Sequence, residues 1–118
     1  MSKTRRPGKG GRRRWPPSKR RLEKLIGEAT VDAHDESEAR SGFFNLIEEN
    51  LALPFDTEVL GVEVTVERVA MNTAEEIVAI CRRDRKRQAI PILDLPLPKP
   101  LPRGMEWIEA YRYWMRGM

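Results

Sequence analysis

The chain has 118 residues and a mass of 13.7 kDa, enough for one small domain with a hydrophobic core and too little for two. No segment approaches the roughly 20 consecutive apolar residues of a membrane-spanning helix, and the basic N-terminus lacks the apolar run of a secretory signal. Cys81 is the single cysteine and His34 the single histidine, too little for a disulfide framework, a zinc cluster or the usual nucleophile–histidine pairs. We therefore expect a cytoplasmic protein that is not an enzyme.

Basic and acidic residues are segregated along the chain. Residues 1–21 contain ten Lys or Arg and no acidic residue, whereas the other 97 residues contain twelve basic and eighteen acidic ones, a net charge of −6. The first segment is rich in Arg, Lys, Gly and Pro and buries too little apolar surface to order itself. We expect residues 1–21 to form a disordered basic tail and residues 22–118 to form a single domain. Such a tail either keeps the protein soluble or contacts nucleic acid non-specifically through phosphates.

Two helices are predicted before any strand. Apolar residues recur at three- and four-residue spacing from Arg21 onwards and predict a first helix over Leu22 to Ala29. Asp35, with Glu38 three residues later, has the spacing of a helix N-cap, and Pro54 ends the helix that follows. The apolar stripe of this second helix comprises Ala39, Phe43, Leu46, Ile47 and Leu51.

The hydrophobic period then changes from 3.6 to 2, which is typical of strands. Val62, Val64 and Val66 alternate with polar residues and predict a first strand. Residues 76–82 and 87–93 predict two more, joined by a polar tip at residues 83–86. We expect an antiparallel meander of three or more strands that curls into a partial barrel, with its last strand at an edge because Pro91 lacks an N–H group.

The C-terminal third predicts a strap and a helix. Alternating Leu and Pro in residues 93–102 favour an extended strap against the body. Residues 104–116 predict a short helix with its apolar side chains on one side, namely Trp107, Ile108, Tyr111, Trp114 and Met115. The predicted fold class is therefore α+β, with N-terminal helices, a small meander and a C-terminal helix packed on the sheet.

An acidic run, VDAHDESE at residues 31–38, is the candidate for metal chemistry. Ca²⁺ prefers six to eight oxygen ligands, and carboxylates in and around a turn can supply them together with free carbonyl groups. The candidate ligands are Asp32, Asp35, Glu36, Glu38, Glu48 and Glu49. The last two lie ten or more residues along the second helix, about 15 Å from its start, so two weak sites or one site with a subset of ligands is the expected geometry.

Three other interpretations stay open at this point. By spacing alone the acidic run is more typical of a solvated surface than of a metal site, and His34 beside carboxylates is a candidate for Zn²⁺, Ni²⁺ or Cu²⁺. The DxDxDG pattern of an EF-hand is absent from the sequence. Five cations crowd the second hairpin, where they either contact nucleic acid together with the tail or pair with acidic residues of the same molecule; they are Arg82, Arg83, Arg85, Lys86 and Arg87.

The order of these segments resembles a known family. VDAHDESE, GFFNLIEENLALPF, LGVEVTVERV, AICRR followed by AIPILDLPLP, and WIEAYRYW are together similar to the cyanobacterial-type (CcbP-like) calcium-binding proteins, over about residues 22–117. The resemblance implies a small α+β domain that binds Ca²⁺ through surface carboxylates outside any EF-hand, as a buffer or sensor.

The resemblance also implies positions for the ligands. Asp32 matches the aspartate of the family's VDAY segment, in which His34 here replaces the tyrosine. The acidic run behind it corresponds to Asp35, Glu36 and Glu38, and the acidic pair that ends the helix corresponds to Glu48 and Glu49. Neither the residues nor the resemblance predicts an oligomeric state.

Overall fold

The computed structural model describes residues 15–117, in which two helices precede four strands and a third helix closes the chain. The helices are α1 (Lys19–Ala29), α2 (Glu36–Asn50) and α3 (Met105–Arg116), and the strands are β1 (Phe55–Val59), β2 (Val62–Met71), β3 (Ile77–Arg83) and β4 (Lys86–Pro91). A single 3₁₀ turn, Ile92–Asp94, follows β4. The predicted α+β class is confirmed.

The beginning of α1 lies inside the segment that was expected to be a tail. Ser18 caps the helix by accepting a hydrogen bond from the backbone N–H of Arg21 at 3.1 Å, and Trp15 packs against the core. Most of the expected tail, residues 1–14, lies outside the described residues, so the division into a tail and one domain stays a prediction. No helix within residues 15–117 is long and apolar enough to cross a membrane.

The sheet is a four-stranded meander, which agrees with the prediction of three or more strands. All neighbours are antiparallel in the order β1–β2–β3–β4, and the sheet is open instead of curling into the expected partial barrel. Strand β1, five residues long with two exposed acidic residues, was not predicted. Its strand geometry depends on pairing with β2, from Phe55 opposite Val66 to Val59 opposite Val62. Pro91 ends the edge strand β4, as predicted.

The main core lies between the three helices and one end of the sheet. The fully buried ring of Phe43 in α2 lies 5.4 Å from the ring of Tyr111 and 5.2 Å from that of Trp114, both in α3. Val69 and Ile77 contribute to this core from the sheet. The aromatic stripe of α3 therefore packs chiefly against α1, α2 and the 3₁₀ turn, which corrects the expectation that it would pack on the sheet.

A smaller apolar cluster lies further along the sheet. Val66, Ala79 and Cys81 are buried there, and Leu53 and Leu95 pack against them from the loops that follow α2 and the 3₁₀ turn. Burial raises the pKa of the Cys81 thiol, which keeps it in the unreactive neutral form.

The Leu–Pro strap runs past β1 to the end of α2. The hydroxyl of Thr57 donates a hydrogen bond to the carbonyl oxygen of Pro96 at 3.3 Å, and the backbone N–H of Ala52 donates to the carbonyl oxygen of Arg103 at 2.8 Å. The strap thereby fixes the entry into α3 against the C-terminal end of α2.

Candidate metal site

The acidic run connects α1 to α2. Thr30 is the C-cap of α1, and its backbone N–H and hydroxyl both donate to the carbonyl oxygen of Ile26, at 3.0 and 2.8 Å. One further turn is closed by a hydrogen bond from the N–H of Ala33 to the carbonyl oxygen of Thr30. This tight connection places the carboxylates that follow at the N-terminus of α2.

Asp35 and Glu38 are both occupied with capping α2. An Asp35 oxygen accepts a hydrogen bond from the N–H of Glu38 at 2.8 Å, as the sequence predicts for an N-cap. Glu38 reaches back, and its Oε1 accepts from the N–H of His34 at 2.6 Å and lies 3.1 Å from the His34 Nδ1. The two carboxylates therefore point at backbone N–H groups, a relative of the capping box.

The other two carboxylates of the run face different surroundings. Asp32 is exposed and has no hydrogen-bond or ion-pair partner within residues 15–117. Glu36 lies 3.8 Å from Arg40, one helical turn later, and Arg40 also approaches Glu75 at 3.6 Å. Because Glu75 further accepts a hydrogen bond from Ser37, the start of α2 is tied to the turn between β2 and β3.

Glu48 and Glu49 lie far from this segment, as their spacing predicts. Both are exposed near the end of α2, and Glu48 follows Glu38 by ten residues, about 15 Å along the helix. Glu49 instead borders a cleft of about 640 Å³ beside Trp15 and Arg103. A single compact site with all six carboxylates is therefore not formed.

Nor do the described residues contain a ready-made metal site. No group of three or more His, Cys, Asp or Glu side chains within residues 15–117 is arranged to hold a metal ion. The hard carboxylate oxygens of the 32–38 run have the right chemistry for Ca²⁺, but they do not converge. Side chains would have to turn towards a common point, which is feasible only because all four are exposed.

The positive charge of the β3–β4 hairpin (residues 82–87) is partly neutralised by one acidic residue of β2. Glu67, at a bulge in β2, accepts hydrogen bonds from the Nε of Arg82 at 2.6 Å and of Arg87 at 2.8 Å. These two hydrogen bonds hold the pKa of Glu67 below its ordinary value. By contrast, Arg83, Arg85 and Lys86 have no acidic partner within residues 15–117. Glu67 was not among the predicted site residues, because the bulge that directs its side chain arises from strand pairing.

The hydrogen bonds from Arg82 and Arg87 to Glu67 predict that the stability of the fold depends on pH. A carboxyl with a lowered pKa stabilises the fold above its unfolded pKa of about 4.5, and that contribution is lost as the pH falls through the lower folded pKa. We expect Glu67→Gln to lower the melting temperature at pH 7, by an amount that shrinks on acidification to pH 3. Thermal unfolding of both proteins across this range measures the difference, and a constant difference would contradict the bridge.

Comparison with known proteins identifies the family of this chain. A family model described as calcium binding, that of the CcbP proteins, matches residues 23–115. The α+β domain described above therefore belongs to a class of small binding domains rather than to a family defined by catalysis. The chain is a member of the CcbP calcium-binding family. In the same comparisons, no curated protein and no solved structure matches the chain.

Proposed function

We propose that the protein binds Ca²⁺ with low affinity through the carboxylates of Asp32, Asp35, Glu36 and Glu38. Membership of a calcium-binding family carries this proposal. The protein acts as a buffer or sensor in the cytoplasm and has no catalytic role.

The mechanism rests on the concentration of negative charge. Asp32, Asp35, Glu36 and Glu38 lie within seven consecutive residues around one tight connection. Held close together, anionic groups repel one another, and a divalent cation relieves this repulsion when it binds. Asp32 has both oxygens available, whereas Asp35 and Glu38 each have an oxygen that is not engaged in capping.

The arrangement favours weak binding. Arg40 approaches Glu36 and offsets part of its charge, and the carboxylates must reorient before they share an ion. The dissociation constant is therefore expected at about 10⁻⁴–10⁻³ M, the range of weak calcium modules. Glu48 and Glu49 contribute at most a separate, weaker site because of their distance along α2.

Calorimetric titration with Ca²⁺ in chelator-treated buffer tests the proposal. The test variant combines Asp32→Asn, Asp35→Asn, Glu36→Gln and Glu38→Gln, which removes four charges and keeps Asn as an N-cap. We expect heat of binding from the unchanged protein and none from this variant in the same range of Ca²⁺ concentration.

The matched control carries Glu48→Gln and Glu49→Gln, which removes charge from the other end of α2. It should retain the heat of binding, because these residues lie outside the 32–38 segment. The proposal fails if the unchanged protein gives no heat at millimolar Ca²⁺, or if the 32–38 variant gives the same heat as the unchanged protein.

Contact with nucleic acid through the basic tail and the hairpin is the second candidate function. Arg83, Arg85 and Lys86 support it, since they lack acidic partners among the described residues. Their neighbours on the sheet are aliphatic rather than aromatic, which disfavours stacking on single strands. Fluorescence anisotropy with labelled DNA at rising salt tests it, and binding that persists at high salt would contradict a phosphate interaction.

A further inference from the structure

One face of the sheet is uncovered at the end opposite the main core. The strand register places Val59, Val62, Val64 and Ile90 on the same face as the buried Val66. These four side chains are only half-buried, because the helices cover the other end of the sheet. They form the floor of an open groove of about 1160 Å³, which we call the hairpin groove.

The rim of the hairpin groove carries an unusually exposed leucine. Leu60 is 97% exposed and occupies the tip between β1 and β2 with a φ of +52°, followed by Gly61 at +77°. Two successive positive φ angles are typical of a type I′ turn, for which Asn-Gly is strongly preferred. A leucine here costs stability through both strain and exposure, so its presence points to a contact made by the side chain.

The opposite rim is positively charged. Arg83 and Lys86 are cross-strand partners on the groove face, and Arg85 lies in the turn between them. These three cations have no acidic partner within residues 15–117, although Asp84 and Asp94 also border the groove. The groove thus matches a segment that combines an aliphatic side chain with negative charge.

The chain itself exposes a segment of that chemistry. Val31 is 75% exposed in the connection between α1 and α2, and Glu28 and Asp32 on either side of it have no ion-pair partner among the described residues. This segment leads into α2, where the hydroxyl of Ser37 donates a hydrogen bond to Glu75 in the turn between β2 and β3. That turn is at the far end of the sheet from the hairpin groove, so a molecule does not fill its own groove.

We propose that two copies of this chain associate antiparallel, with Val31 and its flanking carboxylates seated in the hairpin groove of the other copy. Twofold symmetry lets each copy both supply a segment and receive one, so the two contacts form together and the assembly closes as a dimer. Leu60 packs beside the incoming Val31, and Arg83, Arg85 and Lys86 face Glu28 and Asp32.

Sedimentation velocity on the full chain, treated with nuclease and in the presence of a chelator, tests the proposal. We expect a concentration-dependent dimer whose dissociation constant rises at least about tenfold between about 50 and about 500 mM NaCl, because the contacts are between exposed charges. A monomer at all concentrations in low salt overturns the proposal. The proposal is also overturned if the protein associates only before nuclease treatment, or if deletion of residues 1–14 abolishes the association.

Leu60→Asn separates association from folding. The substitution creates the preferred Asn-Gly turn, so the melting temperature should be maintained or raised while the dimer is weakened. A Leu60→Asn protein that dimerises as strongly as the unchanged chain contradicts the proposed contact.

Two variants with reversed charges on opposite sides of the proposed contact, mixed with each other, give the strongest test. One variant carries Arg83→Glu and Lys86→Glu, and the other carries Glu28→Lys and Asp32→Lys. Each alone should be monomeric, because like charges then face each other, whereas an equimolar mixture should restore the dimer. Lys99→Glu, a charge reversal on the strap, is the matched control and should leave association unchanged. A mixture that stays monomeric overturns the antiparallel arrangement.

Discussion

Gly42→Ala is expected to lower the free energy of unfolding by about 2–4 kcal/mol. Gly42 lies in α2 where that helix crosses α1, and a Cβ atom built on it meets the carbonyl oxygen and carbon of Ala29. The obstacle is backbone at the last residue of α1, which cannot move aside as a flexible side chain would. The helices would have to separate, and Phe43, the next residue, would lose packing in the core.

Gly27→Ala in α1 is the matched control. A Cβ atom at Gly27 meets nothing within 4 Å, so the alanine removes only the backbone entropy penalty of glycine in a helix. We expect it to raise stability by about 0.5–1 kcal/mol. Chemical denaturation followed by circular dichroism measures both variants. If Gly42→Ala stabilises the protein as Gly27→Ala does, the close crossing of α1 and α2 is refuted.

The crossing at Gly42 also bears on the candidate metal site. Ala29 is directly followed by the connection that carries Asp32 and Asp35, so the distance between the helices sets how tightly this connection is folded. The contact between the helix backbones therefore contributes to the position of the carboxylates, together with the cap that Asp35 provides.

Features determined by local sequence were predictable. The N-cap at Asp35 and the stripe containing Phe43 and Ile47 were identified because capping and 3.6-residue periodicity act over a few neighbouring residues. The resemblance to the CcbP family rested on the order of several such segments, and the family match over residues 23–115 confirms it.

Features determined by strand pairing were not predictable. Strand β1 alternates Phe55, Thr57 and Val59 with two exposed acidic residues over only five positions directly after Pro54, and it exists through its register with β2. The bulge between Val66 and Arg68 likewise depends on β3, and it turns Glu67 towards Arg82 and Arg87. In the acidic run, spacing alone separated Glu48 from the other carboxylates and predicted the cap at Asp35, but it did not show that Glu38 reaches back to the N–H of His34.

Asp32 takes part in both proposed interactions, with Ca²⁺ and with the hairpin groove of a second copy, and the two compete. A Ca²⁺ ion bound to this carboxylate cancels the charge that would otherwise face the cations of the hairpin groove in a second copy. By thermodynamic reciprocity, calcium that weakens association is itself bound less tightly by the dimer, by the same factor. Low-affinity binding of Ca²⁺ would then shift the equilibrium from the dimer towards the monomer.

Gly104→Ala is expected to have the largest effect on stability, a loss of about 3–5 kcal/mol. Gly104 is the N-cap of α3 and has a φ of +90°, a conformation that strains an L-residue. A Cβ atom here also meets the carbonyl group of Asn50 and lies 2.7 Å from the Cα atom of Leu51. The substitution therefore combines backbone strain with a clash where the strap and α3 meet the end of α2.

Gly61→Ala measures the cost of the backbone strain alone, because no atom clashes with a Cβ atom at this position. Gly61 has a similar φ of +77°, but a Cβ atom there meets nothing within 4 Å, so the expected loss is only about 1 kcal/mol. Guanidinium denaturation of both variants, followed by tryptophan fluorescence, gives the two values. Because Trp107 and Trp114 belong to α3, the signal reports on the helix that Gly104 anchors. Equal losses for the two variants would show that the contact between Gly104 and the end of α2 does not constrain the fold.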